Sequence, residues 1–147
     1  MLRNLVTTAL PDWNKRVLTD SDFARFCEDE GLRVVEVDNL ETDTGEPGLY
    51  IEHRGYPFIA LDTALRGTRR SWVQWHEIGH YILHTPGTQF FFGCSSRIHN
   101  QANIVAACAL MPRKLIRHSS AFSICEEFGY PTDLIELRFE IYRTRKF

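Results

Sequence analysis

The stretch "WVQWHEIGHYILH", residues 72–84, decides how this chain is read. Trp72, Trp75, His76, Gly79, His80 and Leu83 recur at steps of three and four, which is the period of a helix. His76 and His80, four apart, therefore lie on one face with their side chains leaning the same way. Two imidazoles so placed can hold one ion. Glu77 is a step around the helix, too far for a third ligand from that face but close enough to reach a water on the metal. This is the division of labour in an H-E-x-x-H helix, with two histidines for Zn²⁺ and the carboxylate as general base. Trp72, Trp75, Ile82 and Leu83 would keep such a site dry, and Gly79 would let a neighbouring helix come close. The bland alternative is an amphipathic helix on which two histidines happen to fall four apart.

A catalytic zinc needs three protein ligands and one open position. The remaining candidate donors are His84, Cys94, His99, His118, Glu126 and Glu127. His84 continues the same helix, but its place on the helix swings it away from His76, which suits packing or support of a ligand. Cys94 lies in the loop "TQFFFGCSS", residues 88–96, and a thiolate there would make a tighter, less hydrolytic site. His99 opens "RIHNQANIVAACALMP", residues 97–112, where Ile98, Ala102, Val105, Ala106, Ala109 and Leu110 form one helical face. A helix delivers a ligand more rigidly than a loop, so His99 is the favoured third ligand.

Outward from this pair the pattern predicts an α+β fold. Capping-type residues at 19–21 and Gly31 bracket a helix, "LRVVEVD" (32–38) reads as a strand, and residues 49–53 and 57–61 read as two more joined across Arg54, Gly55 and Tyr56. Thr85, Pro86 and Gly87 end the histidine helix. The last third reads as two helices broken at Gly129, Tyr130 and Pro131, with Leu134, Leu137, Arg138 and Ile141 on a common stripe. Residues 1–147 form one domain, with 1–18 as an extension ahead of a core at 20–142.

At 147 residues, 44% apolar and 24% charged, the chain is large enough for a core without disulfides. A net charge of −2 offers no field for nucleic acid or a membrane surface. Without an apolar leader or a run of spanning length, the reading is a cytoplasmic protein with no membrane partner. Cys27, Cys94, Cys108 and Cys125 contain no CxxC pair and read as reduced thiols, mostly buried.

Two segments together, "RRSWVQWHEIGHYILHTP" and "HNQANIVAACALMP", resemble the ImmA/IrrE family of zinc metallopeptidases. Ala102, Asn103, Ala106, Ala107, Leu110, Met111 and Pro112 fall at that family's spacing, and "FIALDTAL" and "EEFGYPTDLIELRF" are also similar to it. The resemblance implies a minimal zincin-like core, with His76 and His80 as zinc ligands and Glu77 as catalytic base. The family's third ligand is a glutamate opening the second helix. His99 stands in that place here. Asn103 would orient a ligand or Glu77, with His84 also behind the ligands. The implied function is cleavage of a specific protein, a helix-turn-helix transcriptional repressor, in a bacterial stress-response or mobile-element switch. A sheet edge near the site, residues 57–61 or 49–53, would take the extended substrate.

Two other readings compete. One is a zinc-binding module without catalysis, supported by His99 in place of glutamate. The other is a DNA-binding regulator built on the helix, turn and helix of "CEEFGYPTDLIELRFEIY", opposed by Glu136 and Glu140 beside Arg138. Tyr50, Tyr56, Tyr130, His118 and Arg138 are candidates for stabilising the oxyanion. His53 reads as a surface residue, Tyr81 and Cys108 as packing, and Arg66, Arg69 and Arg70 as a solvated turn or a docking patch for an acidic partner.

Overall fold

The computed structural model describes residues 1–84 and 96–147. In chain order the elements are α1 (Leu2–Ala9), α2 (Asp20–Glu30), β1 (Arg33–Val37), α3 (Leu40–Thr44), β2 (Gly48–His53), β3 (Tyr56–Asp62), α4 (Gly67–Leu83), α5 (Ser96–Leu110), α6 (Arg113–His118), α7 (Ala121–Phe128) and α8 (Thr132–Arg145). This is an α+β fold, with helices packed on a small three-stranded sheet. Among the described residues no helix is long and apolar enough to cross a membrane.

Local chemistry accounts for the boundaries. Thr19 and Asp22 cap α2 reciprocally, each side chain taking the other's backbone N–H, and Gly31 ends that helix at φ 67°. Arg54 (φ 51°) and Gly55 (φ 80°) both take the left-handed region, as a two-residue hairpin turn requires, and so β2 folds back on β3. β3 occupies the middle of the sheet, antiparallel to β2 and parallel to β1. Residues 57–61 are therefore paired on both sides and offer no edge to a substrate. The candidate edge beside the site is β2.

The sheet buries both faces unequally. Tyr50, Ile59 and Leu61 point into the main core, while Leu49 and Ala60 meet Leu40 of α3 on the other side. The main core lies between the sheet and the α4–α5 pair. A Cβ at Gly79 would lie 2.9 Å from the Ala102 Cα and 3.2 Å from the Val105 Cβ, so only glycine lets the two helix backbones meet.

The last third departs from expectation. It forms three helices, because Ser120 accepts a hydrogen bond from the Ser123 N–H and starts α7 anew after α6. Residues 1–18 join the core: Val6 and Trp13 are buried, and the Trp13 indole donates to the Val105 carbonyl at 2.9 Å. Cys27 and Cys108 are buried free thiols and Cys125 is half-buried. The 85–87 helix stop and Cys94 lie outside the described residues.

Candidate metal centre

α4 and α5 bring three imidazoles together. One ligating nitrogen from each of His76, His80 and His99 lies within 4.8 Å of the others, and the Nε2 atoms of His76 and His80 face each other at 3.0 Å. Tetrahedral ligands at a metal–nitrogen distance of ~2.1 Å stand about 3.4 Å apart, so these separations bracket those of a bound ion. The His76 and His99 rings are nearly parallel, 5.7 Å between centroids, and His80 is edge-on to both.

The orientation of His76 is fixed from behind. Its Nδ1 donates to the Asn103 Oδ1 at 2.8 Å, the carboxamide oxygen accepting, which leaves the Nε2 lone pair free for a cation. Asn103 and His99 are four apart on α5, so one helical face supplies both the third imidazole and this partner. His84 stands behind the group: its ring donates to the Ile98 carbonyl and lies 5.3 Å from the His80 ring. It thus ties the end of α4 to the start of α5, beside His99.

Burial keeps the imidazole lone pairs free of protons. Burial, reinforced by the neighbouring His99 and His84, lowers the His76 pKa to about 4 despite the bond to Asn103. Burial and the other three imidazoles lower that of His80 to about 2. Both rings are neutral at pH 7, as metal ligands must be. Glu77, 3% exposed, is pushed up to about 8 by burial, the Glu46 charge adding to the effect and the Tyr50 backbone N–H opposing it. Its Oε2 is buried without a partner, as is the His80 Nδ1. A buried carboxylate oxygen without a partner, beside imidazole Nε2 atoms turned toward one another, fits a site completed by a cation and its water.

The sheet reaches this point through Gly48. A Cβ there would fall 2.5 Å from the Val73 Cγ1 and 3.1 Å from the Glu77 Cγ, so glycine is what lets β2 lie against the glutamate. Beside the imidazoles opens a cleft of ≈ 330 Å³, walled by Pro47, Trp72 and Val73, with Glu46 in its lining. Neither Gly48 nor Glu46 was singled out from the sequence, because only the pairing of β2 brings the 45–48 loop over α4.

Other expected residues lie elsewhere. Arg138 is fully buried, donating from Nε to the Met111 carbonyl at 2.6 Å and from Nη2 to the Asn14 Oδ1 at 3.0 Å, which removes it from the oxyanion candidates and from any DNA-facing surface. Tyr130 is buried and donates to the Leu110 carbonyl, Tyr56 is 75% exposed on the hairpin, and His118 is exposed on α6 outside the cleft lining. Tyr50 contributes its backbone N–H to Glu77, while its ring stands edge-on to Tyr81 at 5.5 Å. Glu126 and Glu127 of α7 are not in the metal-binding group. Arg69 is paired with Glu41 of α3 and Arg70 with Glu36 of β1, tying those elements to α4, and Arg66 donates to the Thr63 and Leu65 carbonyls of its own loop.

A family model described as the IrrE N-terminal-like domain (Peptidase_M78) matches residues 27–139, well over half of the chain. No curated protein and no solved structure matches it.

Proposed function

From the premise that the chain belongs to the IrrE N-terminal-like peptidase family, we propose that it is a zinc-dependent endopeptidase with a narrow protein substrate, a helix-turn-helix transcriptional repressor, acting in the bacterial cytoplasm. The observation that carries this reading is the convergence of His76, His80 and His99 with the buried carboxyl of Glu77 on one cleft. Zinc, when bound there, would acidify a water to a pKa near ~7 and polarise the scissile carbonyl.

The chain's own residues supply the rest. Glu77 without a cation prefers to hold its proton, and a nearby positive ion moves it toward the carboxylate, the state a general base needs. It then takes a proton from the attacking water at its free Oε2 and returns it to the leaving amine. Asn103 keeps His76 in the tautomer that presents Nε2. β2, whose outer side no strand covers among the described residues, would hold an extended substrate beside Gly48 and hence across Glu77.

His99 in place of the family's glutamate favours one second reading, a zinc-binding interaction module without catalysis. A three-imidazole site carries one more positive charge than a two-histidine, one-carboxylate site and makes bound water more acidic. Metal analysis and cleavage assays separate the two. The peptidase reading expects about one zinc per chain. It also expects Glu77→Gln to retain that zinc and lose cleavage of the repressor encoded nearby by roughly 10²–10⁴-fold. Stoichiometric zinc with no cleavage by the unmutated protein supports the module instead.

A further inference from the structure

We propose that the cleft beside the metal centre is a subsite for a lysine or arginine side chain flanking the scissile bond, with Glu46 as the residue that selects it. The inference rests on the peptidase reading and adds a substrate class to it. Glu46 sits on the loop between α3 and β2. Its backbone N–H donates to the Thr44 hydroxyl at 3.1 Å, and that hydroxyl donates to the Leu40 carbonyl at 2.7 Å, which ties the loop to α3. The residue lines the cavity and is half-buried.

The arginines at the start of α4 are committed elsewhere. Arg69 is bonded to Glu41 at 2.6 Å, Arg70 to Glu36 at 2.5 Å, and Arg66 to backbone carbonyls. Among the described residues Glu46 makes no ion pair. Glu36 and Glu41, by contrast, are used to hold β1 and α3 to α4. A carboxylate that makes no ion pair within the chain, set in the wall of a cavity, is available to a positive group from the ligand.

The other walls narrow the choice of ligand. Pro47, Trp72 and Val73 form an apolar lining, and ≈ 330 Å³ accommodates one long side chain. Lysine and arginine combine an aliphatic stem with a terminal charge, so the stem can lie on Pro47 and Val73, the cation can reach Glu46, and the Trp72 ring offers a face to it. An acidic side chain would meet the like charge of Glu46. A neutral apolar one would cover Glu46 without pairing it, at the cost of its hydration.

Two measurements on the full chain test this. In the first, the zinc-loaded protein and its Glu46→Lys variant digest a peptide library, and the ratio of basic to acidic residues flanking each cut is read by mass spectrometry. In the second, metal-free protein is titrated with capped tripeptides carrying lysine, arginine, norleucine or glutamate, and binding is followed by tryptophan fluorescence. Trp72 is the tryptophan in the cleft, whereas Trp13 and Trp75 are each 1% exposed. The expected result is a basic-over-acidic preference of roughly ten-fold in both, as one close charge pair gives, reversing in Glu46→Lys. Cleavage without that preference, or with one that Glu46→Lys leaves unchanged, overturns the subsite and leaves the peptidase reading standing. Charge-selective binding that Glu46→Lys reverses, with neither a library peptide nor the repressor encoded nearby cut, upholds the subsite as a binding site and overturns the peptidase reading. No charge-selective binding together with no cleavage of library or repressor overturns both.

Discussion

Two buried polar clusters sit at opposite ends of α5, and they differ in what their atoms still lack. At the far end Arg138 and Asn14 form a brace. The guanidinium donates to the Met111 carbonyl and the Asn14 Oδ1, and that same oxygen accepts the Arg113 backbone N–H at 2.8 Å. The acceptors are the backbone carbonyls of Met111 and Phe147 and the Asn14 carboxamide oxygen, with the Nη1 of Arg138 left over. At the near end, some 18 Å along the helix by its rise of ~1.5 Å per residue, three imidazole nitrogens and a carboxyl converge on one another. Burial is common to both, so burial does not mark function. What does is that one cluster is closed by hydrogen bonds within the chain, while the other gathers lone pairs that only a cation satisfies together.

The comparison breaks most sharply at His99. His99→Ala leaves two ligands from one helix, and zinc affinity is expected to fall on the order of a thousand-fold, about the share of one ligand in a structural zinc site's binding free energy. His84→Ala should do far less, because His84 holds Ile98 and is no member of the converging group. Competition with a chromophoric chelator measures both. Zinc affinity that survives loss of His99 would remove it from the ligand set.

At the other end, Arg138→Ala should cost about 3 kcal/mol of unfolding free energy, since it strips a donor from the buried Met111 carbonyl and from Asn14. Zinc content should not change. Denaturant melts with parallel metal analysis check this, and a variant that lost metal while keeping stability would reverse the roles of the two clusters. Asn103→Ala is the smaller counterpart at the near end. It removes the acceptor that fixes the His76 tautomer, and a roughly 10- to 100-fold loss of zinc affinity is expected with the fold retained.

The sequence was informative where a pattern is local. The spacing of His76 and His80, the apolar face of α5, the cap at Thr19 and the turn at Arg54 and Gly55 each depend on residues a few positions apart. The structure also shows that His99, nineteen residues from His80, shares their face of the site. What was hidden is non-local. Nothing near Arg138 reveals that its partners are Met111 and Asn14, so a stripe residue of α8 passed for a candidate at the oxyanion. Glu46 belongs to no motif, and only the order of strands, with β3 central, carries its loop to Trp72. The break between α6 and α7 rests on a single serine cap that the surrounding helical pattern masks.

Acid and base separate the clusters by the smallest effect. In metal-free protein the folded pKa values of His76 and His80, about 4 and about 2, lie below the ordinary 6.5, so as pH falls through 6.5 the unfolded chain takes up protons that the folded one refuses. Stability is therefore lost on the acid side. Glu77 acts in the opposite sense: its folded pKa of about 8 exceeds the ordinary 4.5, so the folded chain holds a proton that it gives up at a cost as pH rises toward 8. Near pH 6 the two histidines outweigh one glutamate, and near pH 7.5 the glutamate wins. The metal-free protein should be most stable between about pH 6 and 7, falling by about 1 kcal/mol or less one unit to either side. Glu77→Gln removes the alkaline descent and steepens the acid one that Glu77 partly offsets, leaving a curve that rises with pH and then levels off. The Arg138 brace holds no group that titrates in this window, so Arg138→Ala should lower the whole curve without changing its shape. Thermal melts of chelated protein at half-unit pH steps give all three curves. A dome that persists in Glu77→Gln would mean that the buried carboxyl of Glu77 is not the group responsible for the alkaline limb.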